Sequence, residues 1–324
     1  MPVPEQQDDL IHQPRDDPRW RESYYFSFFD WNLGIGGFSS IGKRPAKGHA
    51  GSINVIWGPS APTLVASEFD SFTEHSDDHS VAGLGYRATR PYGPWELSFA
   101  GELNDGGTGI ECGHEALGPT GRSPASKVPV RYDLTFTPLY SPYLYVERDE
   151  WRDLFDGHID EIGLVEGELE IGGETHRIKG RGAKDHSWGV RDWFKPDAWR
   201  WIDVLAEDGP ELALWRAQFD GDWVEDGAVY GPDGVDGLSE YEESVETSGR
   251  PRKPLPTRIR LRAAGGSQHV AVAGEVARVV PIFFGRDLDG GRQVSWNDRA
   301  LVRCDTEAGR VAWANVEFEN LLAE

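Results

Sequence analysis

The sequence predicts an all-β protein made of two antiparallel β domains, and three observations carry that prediction. The chain is hydrophilic on average, with a mean hydropathy of -0.53, yet it holds 13 Trp, 10 Tyr and 14 Phe. Its apolar content therefore sits in rings, which suit strands and ring-lined pockets better than helical stripes. Short β-type segments alternate with turns rich in Gly, Pro, Asp and Asn, and no segment keeps a helical stripe beyond about three turns. A strongly twisted open sheet seldom exceeds ~10 strands before it splits or closes, so a chain of 324 residues divides best into two domains of roughly 150 residues each.

The elements follow in order. Residues 1–19 (MPVPEQQDDLIHQPRDDPR) are polar, Pro-bearing and aperiodic, and read as a disordered tail. Strands are expected at ESYYFSFFD (22–30), SINVIWG (52–58), PTLVASEF (62–69), WELSFAGEL (95–103), VRYDLTFTPLY (130–140), GLVEGELEI (163–171) and THRIKGRG (175–182). DEWRDLF (149–155) is the best short helical candidate. In WRWIDVLAEDGPELALWRAQF (199–219) the EDGP sits between two apolar runs like a hairpin tip. TRIRLRA (257–263) alternates Arg with Ile and Leu, giving one wet and one buried face. HVAVAGEVARVVPIFF (269–284), RQVSWNDRALVRC (292–304) and GRVAWANVEFENLL (309–322) complete the set. Polar, Gly and Trp residues interrupt the strand rhythm around 179–199, so the domains are placed at 20–188 and 189–324.

Composition excludes several classes. Lys+Arg 33 against Asp+Glu 55 gives a net charge of -22, which repels phosphate backbones, so no nucleic-acid partner is expected. No apolar run is long enough for a membrane span, and the acidic amino terminus lacks a secretory pattern, so a soluble, cytoplasmic protein is expected. Cys112 and Cys304 stand far apart, in no metal-like spacing and with no disulfide framework. A homodimer is compatible with the sequence.

Among the motifs, GIGGFSSIGKRP (34–45) approaches a phosphate loop. Arg44 replaces the Ser or Thr that would hold Mg, and Ser39 takes the third glycine position of a dinucleotide fingerprint; the segment reads as a Gly-rich turn. DLDGG (287–291) lacks the glycine of a calcium loop, where Arg292 stands, and reads as a β-turn. HSDDHS (75–80) offers His75 and His79 with Asp77 and Asp78 as metal ligands, against the plainer reading of a solvated turn. In GHIDE (157–161), His158 with Asp160 and Glu161 offers a metal or acid/base cluster, and His158 and Asp160 share one face if a strand starts there, unless His158 is simply a half-buried histidine.

The densest chemistry is KDHSWGVRDWF (184–194). It holds Asp185, Asp192, His186, Lys184, Arg191, Trp188 and Trp193, with Gly189 permitting a turn. Charges concentrated beside Trp are costly to bury unless paired. The segment is therefore either a site, with Asp185 or His186 as proton donor, or an ion-paired junction in which Arg191 holds Asp185 or Asp192.

GRGAKDHSWGVRDW (180–193), with ESYYFSFFDWNLGIGG before it and RALVRCDTEAGRVAWANVEFE near the end, resembles the lipocalin-like proteins related to hydroxyneurosporene synthase (carotenoid 1,2-hydratase) and AttH. The Gly-x-Gly followed by Asp-His-x-Trp-Gly is the distinctive part. The resemblance implies two lipocalin-like antiparallel β-barrels packed side by side. It also implies a hydrophobic small-molecule ligand, and chemistry with no metal and no organic cofactor. The expected activity is that of a hydratase or cyclase, a lyase or isomerase, which protonates an apolar alkene such as a terpenoid or polyene. The alternative is a non-catalytic carrier or sensor of a lipid-like ligand. Asp185 or Asp192 would be the acid, with His186 tuning or relaying the proton. Trp188, Trp193, Tyr24 and Tyr25 would wall the cationic intermediate, with Arg191 and His158 beside the substrate. Lys184 and Arg191, if they face Asp185, would hold it ionised, the wrong state for a donor.

Overall fold

The first ring-rich segment lies at the centre of one large sheet. In the computed structural model, residues 3–71, 79–112, 126–248, 254–288 and 291–323 are described. The chain divides into two units, Met1–Thr108 with Gly113–Asp192 and Gly109–Cys112 with Trp193–Glu324. The division thus follows Asp192, a little beyond the boundary drawn from sequence.

Unit 1 contains β1 (Trp20–Asp30), β2 (Ile35–Arg44), β3 (His49–Trp57), β4 (Leu64–Ser71), β5 (His79–Val81), β6 (Leu84–Ala88), β7 (Trp95–Asp105), β8 (Lys127–Pro138), β9 (Tyr143–Leu144), β10 (Gly157–Ile171) and β11 (Glu174–Val190). They form an 11-stranded antiparallel sheet in the order β4-β3-β2-β1-β11-β10-β8-β7-β6-β5, with β9 on β10. Leu64 and Val65 of β4 also pair with Asp105 and Asn104 of β7, which brings the sheet back on itself as a barrel. Period-two alternation sends Tyr24, Phe26 and Phe28 inward against Trp95, Leu97, Phe99, Tyr132, Leu134 and Phe136. Unit 2 contains β12 (Ala198–Ala206), β13 (Glu211–Phe219), β14 (Asp222–Gly231), β15 (Gly234–Gly237), β16 (Glu240–Thr247), β17 (Pro256–Gly265), β18 (Gln268–Leu288), β19 (Gly291–Thr306) and β20 (Val311–Ala323). Its 9-stranded sheet runs β15-β14-β13-β12-β20-β19-β18-β17-β16. Ile202, Leu214 and Val229 from one side share a core with Ile259, Leu261 and Val272 from the other. These are the two lipocalin-like β domains that the resemblance implies, and no described helix is long and apolar enough to cross a membrane.

Four local expectations are corrected. The Gly-rich 34–45 segment is strand β2. A Cβ on Gly36 would lie 2.5 Å from Phe29 Cδ2, and one on Gly37 2.5 Å from the Val55 carbonyl oxygen, so missing side chains here make room for the rings of β1. Strand β11 runs unbroken through the polar 179–190 stretch, because its inward positions meet polar partners instead of apolar ones. The helical candidate is a single 3-10 turn, Asp149–Trp151. The tail is held against unit 1. Gln6–Asp9 form a 3-10 turn, Asp9 is buried, and its Oδ2 accepts from the Tyr92 backbone N–H at 2.6 Å. Among the described residues of this stretch only Asp9 is buried, and it is held by ion pairing; most of the others are exposed.

Candidate functional site

Three neighbouring strands of unit 1 carry the chemistry. In β1–β11 pairing Tyr25 faces Asp185, Tyr24 faces His186 and Glu22 faces Trp188. In β10–β11 pairing Asp160 faces Asp185, Ile159 faces His186 and Glu161 faces Lys184. Directly opposed residues share a face, so consecutive motif residues separate. Lys184, His186 and Trp188 point into the barrel with Glu22 and Tyr24. Asp185 points outward with Tyr25, His158 and Asp160. His186 therefore cannot relay a proton to Asp185 in this arrangement, and Lys184 does not hold Asp185 ionised by direct contact.

The inner face is closed and paired. The Lys184 ammonium lies between the carboxylates of Asp9 and Glu161, all three side chains fully buried. Burial opposes its charge, but the two carboxylates outweigh that and hold its pKa above the ordinary lysine value. Glu22 Oε1 receives His186 Nε2 at 3.0 Å and His12 Nδ1 at 2.8 Å, and the His12 backbone N–H donates to the same oxygen at 3.0 Å. Burial depresses the His186 pKa despite Glu22, so the neutral ring keeps its proton on Nε2, where Glu22 accepts it. Its Nδ1 is buried with no hydrogen-bond partner. Tyr24 stacks on His186 at 4.0 Å and His12 stacks on Trp188 at 3.8 Å. A Cβ on Gly157 would lie 2.1 Å from Trp188 Cζ2, so glycine there lets the indole lie flat over the strand.

The outer face is partly open. His158 Nε2 is 3.1 Å from Asp160 Oδ1 and 3.9 Å from Asp185 Oδ2, and the Tyr145 hydroxyl donates to Asp160 Oδ2 at 2.6 Å. Burial presses His158 toward neutrality, but Asp185 and Asp160 outweigh it and raise its pKa above the ordinary histidine value. The two carboxylates thus favour the protonated ring of His158, one orienting it and the other facing it. The Asp185 side chain is 17% exposed while those of His158 and Asp160 are nearly closed, so Asp185 is the member that can meet a ligand.

Of the remaining sequence candidates, Asp192 and Trp193 join neither group, while Arg191 is near enough to oppose the charge on His158. Arg191 donates from Nη1 to the Leu154 carbonyl and lies over the Phe155 ring at 5.9 Å. Asp192 donates its backbone N–H to Asp153 O at 2.6 Å, and its carboxylate lies 3.6 Å from Arg19 Nη1. Trp193 belongs to unit 2, where its ring meets Trp199 at 5.2 Å. His79 is buried in β5, 4.3 Å from the Tyr24 ring; His75, Asp77 and Asp78 lie outside the described residues. Among the described residues two groups have the donors to hold a metal ion, His12–Glu22–His186 and His158–Asp160–Asp185, each with ligand atoms within 4.8 Å of one another. Glu22, His12, Asp9 and Tyr145 were missed from sequence, while Glu161, read there with His158 and Asp160, turns to the other face and meets Lys184. The missed residues sit far along the chain from the motif; strand register brings Glu22 to it, and the docked amino-terminal segment brings Asp9 and His12.

Solved structures share this architecture. An AttH-like protein from Nitrosomonas europaea superposes with a TM-score of 0.59 at 13% identity, covering 94% of this chain and 93% of that one. Kievitone hydratase from Nectria haematococca gives 0.59 at 11%, covering 98% and 93%. CghA, solved with Sch210972, gives 0.51 at 11%, covering 94% and 89%. At these identities the likeness is one of fold. No curated protein sequence matches this chain significantly. The family model described as a domain of unknown function, DUF7064, matches residues 5–321, and the chain belongs to that family.

Proposed function

We propose that the protein is a cofactor-independent hydratase or cyclase, a lyase or isomerase that protonates an apolar, alkene-bearing small molecule of the terpenoid or polyene kind. The observation that carries this reading is the half-open Asp185 carboxylate set against the closed His158–Asp160–Tyr145 chain. When an apolar ligand covers Asp185, loss of water favours its neutral acid, and the adjacent imidazolium is the source of the proton. Asp185 then passes that proton to one carbon of the C=C bond, leaving the cation on the other carbon. Tyr25, on the same sheet face, supplies a ring beside the charge. Water adding to the cation and returning a proton to the carboxylate gives hydration, while attack by a second C=C bond with proton return gives cyclisation. The inner His186–Glu22 pair is fully buried and serves in this scheme to brace β11. That structural neighbours include a protein named a hydratase and one solved with a small molecule agrees with the proposal.

The test is incubation with a panel of terpenoid and polyene alkenes in heavy water. Deuterium at carbon in any product, lost in Asp185→Asn, is the expected result. Recovery of a bound but unmodified ligand would establish a carrier and end the catalytic proposal.

A further inference from the structure

Unit 2 carries a separate group of buried polar side chains, on the sheet face opposite its core. Asn297 of β19 faces Glu319 of β20, and Glu319 in turn faces Trp199 of β12. These positions alternate with Val316, Phe318 and Ala300, which enter the core. Glu319 is 1% exposed; the Asn297 amide and the Arg299 guanidinium lie close enough to favour its charged form, but neither carboxyl oxygen makes a hydrogen bond of normal geometry. Asn297 donates from Nδ2 to Glu317 Oε2 at 3.1 Å, leaving its Oδ1 without a partner, and the buried Ser295 hydroxyl on the same face has none either. Glu317 is otherwise engaged by Arg299 and by the Trp199 indole N–H at 3.4 Å. Buried polar groups are nearly always satisfied, and each exception costs stability. Three in contiguous positions on two paired strands mark a place built to hydrogen-bond something else.

We infer that Ser295, Asn297 and Glu319 form an oxygen-recognition subsite for an otherwise apolar small molecule. Glu319 donates its carboxylic O–H to a carbonyl or hydroxyl oxygen, and Asn297 Oδ1 and Ser295 Oγ accept from a ligand hydroxyl. The paired indoles of Trp199 and Trp193 supply an apolar wall. Burial first and the neighbouring Glu317 second push the Glu319 carboxyl up to about 9, against the opposing pull of Arg299 and Asn297. At neutral pH it is therefore a neutral acid with a proton to share, a device known to serve as a hydrogen-bond donor to ligand oxygen. This subsite is independent of the Asp185 chemistry, and it gives Trp193 a ligand-facing role in its own unit.

Infrared difference spectroscopy on the full-length protein tests it. A carbonyl band of a protonated carboxylic acid should be present at neutral pH and absent in Glu319→Gln. Cyclohexanol and cyclohexanone should displace it, and methylcyclohexane should not. By calorimetry the affinity for cyclohexanol should fall about tenfold in Glu319→Leu, as expected for one lost hydrogen bond of ordinary strength. Ser295→Ala, a milder change, should weaken cyclohexanol binding several-fold if the leucine variant fails to fold. Absence of the band in the wild type, no response to either oxygen-bearing probe, or an equal response to methylcyclohexane overturns the inference. So does a crystal structure with cyclohexanol in which only ordered water bonds these three side chains. None of these outcomes depends on turnover at Asp185.

Discussion

Lys184 and Asp185 are adjacent in sequence and on opposite faces of β11, so substituting them should produce opposite failures. Lys184→Met keeps the stem and removes the ammonium from between Asp9 and Glu161, in a setting where all three side chains are fully buried. Deleting one member of a buried pair costs ~3–5 kcal/mol, and with two carboxylates stranded the upper part of that range applies. For a unit of this size ~1 kcal/mol moves Tm by ~2–4 °C, so the melting temperature of unit 1 should drop by on the order of 10 °C. Asp185→Asn, in contrast, keeps shape in a partly open position 3.9 Å from His158 Nε2; its stability cost should stay within ~1 kcal/mol. Turnover should fall ~10²–10⁴-fold, the usual worth of a positioned proton donor. Scanning calorimetry and the deuterium assay read the two effects separately. A Lys184→Met protein that melts like the wild type would refute the buried-plug reading of the inner face. An Asp185→Asn protein that melts far lower, or keeps its turnover, would sink the assignment of the outer face.

Other outcomes follow from the same geometry. Because the folded pKa of His158 is raised, a rate that needs its imidazolium should decline as pH rises through a value above that of an ordinary histidine. The stability this ring adds is present below its unfolded pKa and is lost on the same rise. A pH–rate profile of Asp160→Asn should show the decline at lower pH. His186 behaves in the opposite sense. With its folded pKa depressed, it contributes stability above its unfolded value that is lost as pH falls through the folded one, so urea midpoints at mildly acid pH should vary less in His186→Gln than in the wild type. Gly157→Ala places a methyl within 2.1 Å of Trp188 and should cost ~1–3 kcal/mol as overpacking. The displaced indole loosens its stack on His12, which limited proteolysis would register as faster cleavage within residues 5–19.

The architecture was readable where strands alternate plainly. TRIRLRA and the EDGP hairpin between β12 and β13 appear as expected, and His158 and Asp160 do share a face. Misreadings arose where side-chain type ceased to report burial. Glycines in β2 are a packing requirement of Phe29, not a turn. Lys184 and Asp9 look solvated in sequence and are buried because each satisfies the other. The site was half visible: KDHSWG announced dense chemistry, but period two splits it between faces. The partners of each half come from β1, β10 and the amino-terminal segment through register that no local pattern encodes. Glu319 and Asn297 carried no motif at all, since a lone acid in an alternating strand reads as a wet position.

The pairing of β1 with β11 has a consequence for how the protein is made. Trp20 pairs with Val190 and Tyr24 with His186, so the first strand synthesised must wait for the last strand of its unit before the barrel can close. Until then YYFSFF has β2 on one edge and an unpaired edge on the other, with its inward rings uncovered. Such late, non-local closure slows folding and lengthens exposure of a sticky edge. Nascent chains halted shortly before residue 190 should therefore bind chaperones strongly. Chains released with β11 complete should bind them weakly, because Lys184 then captures Asp9 and the amino-terminal segment settles onto the barrel.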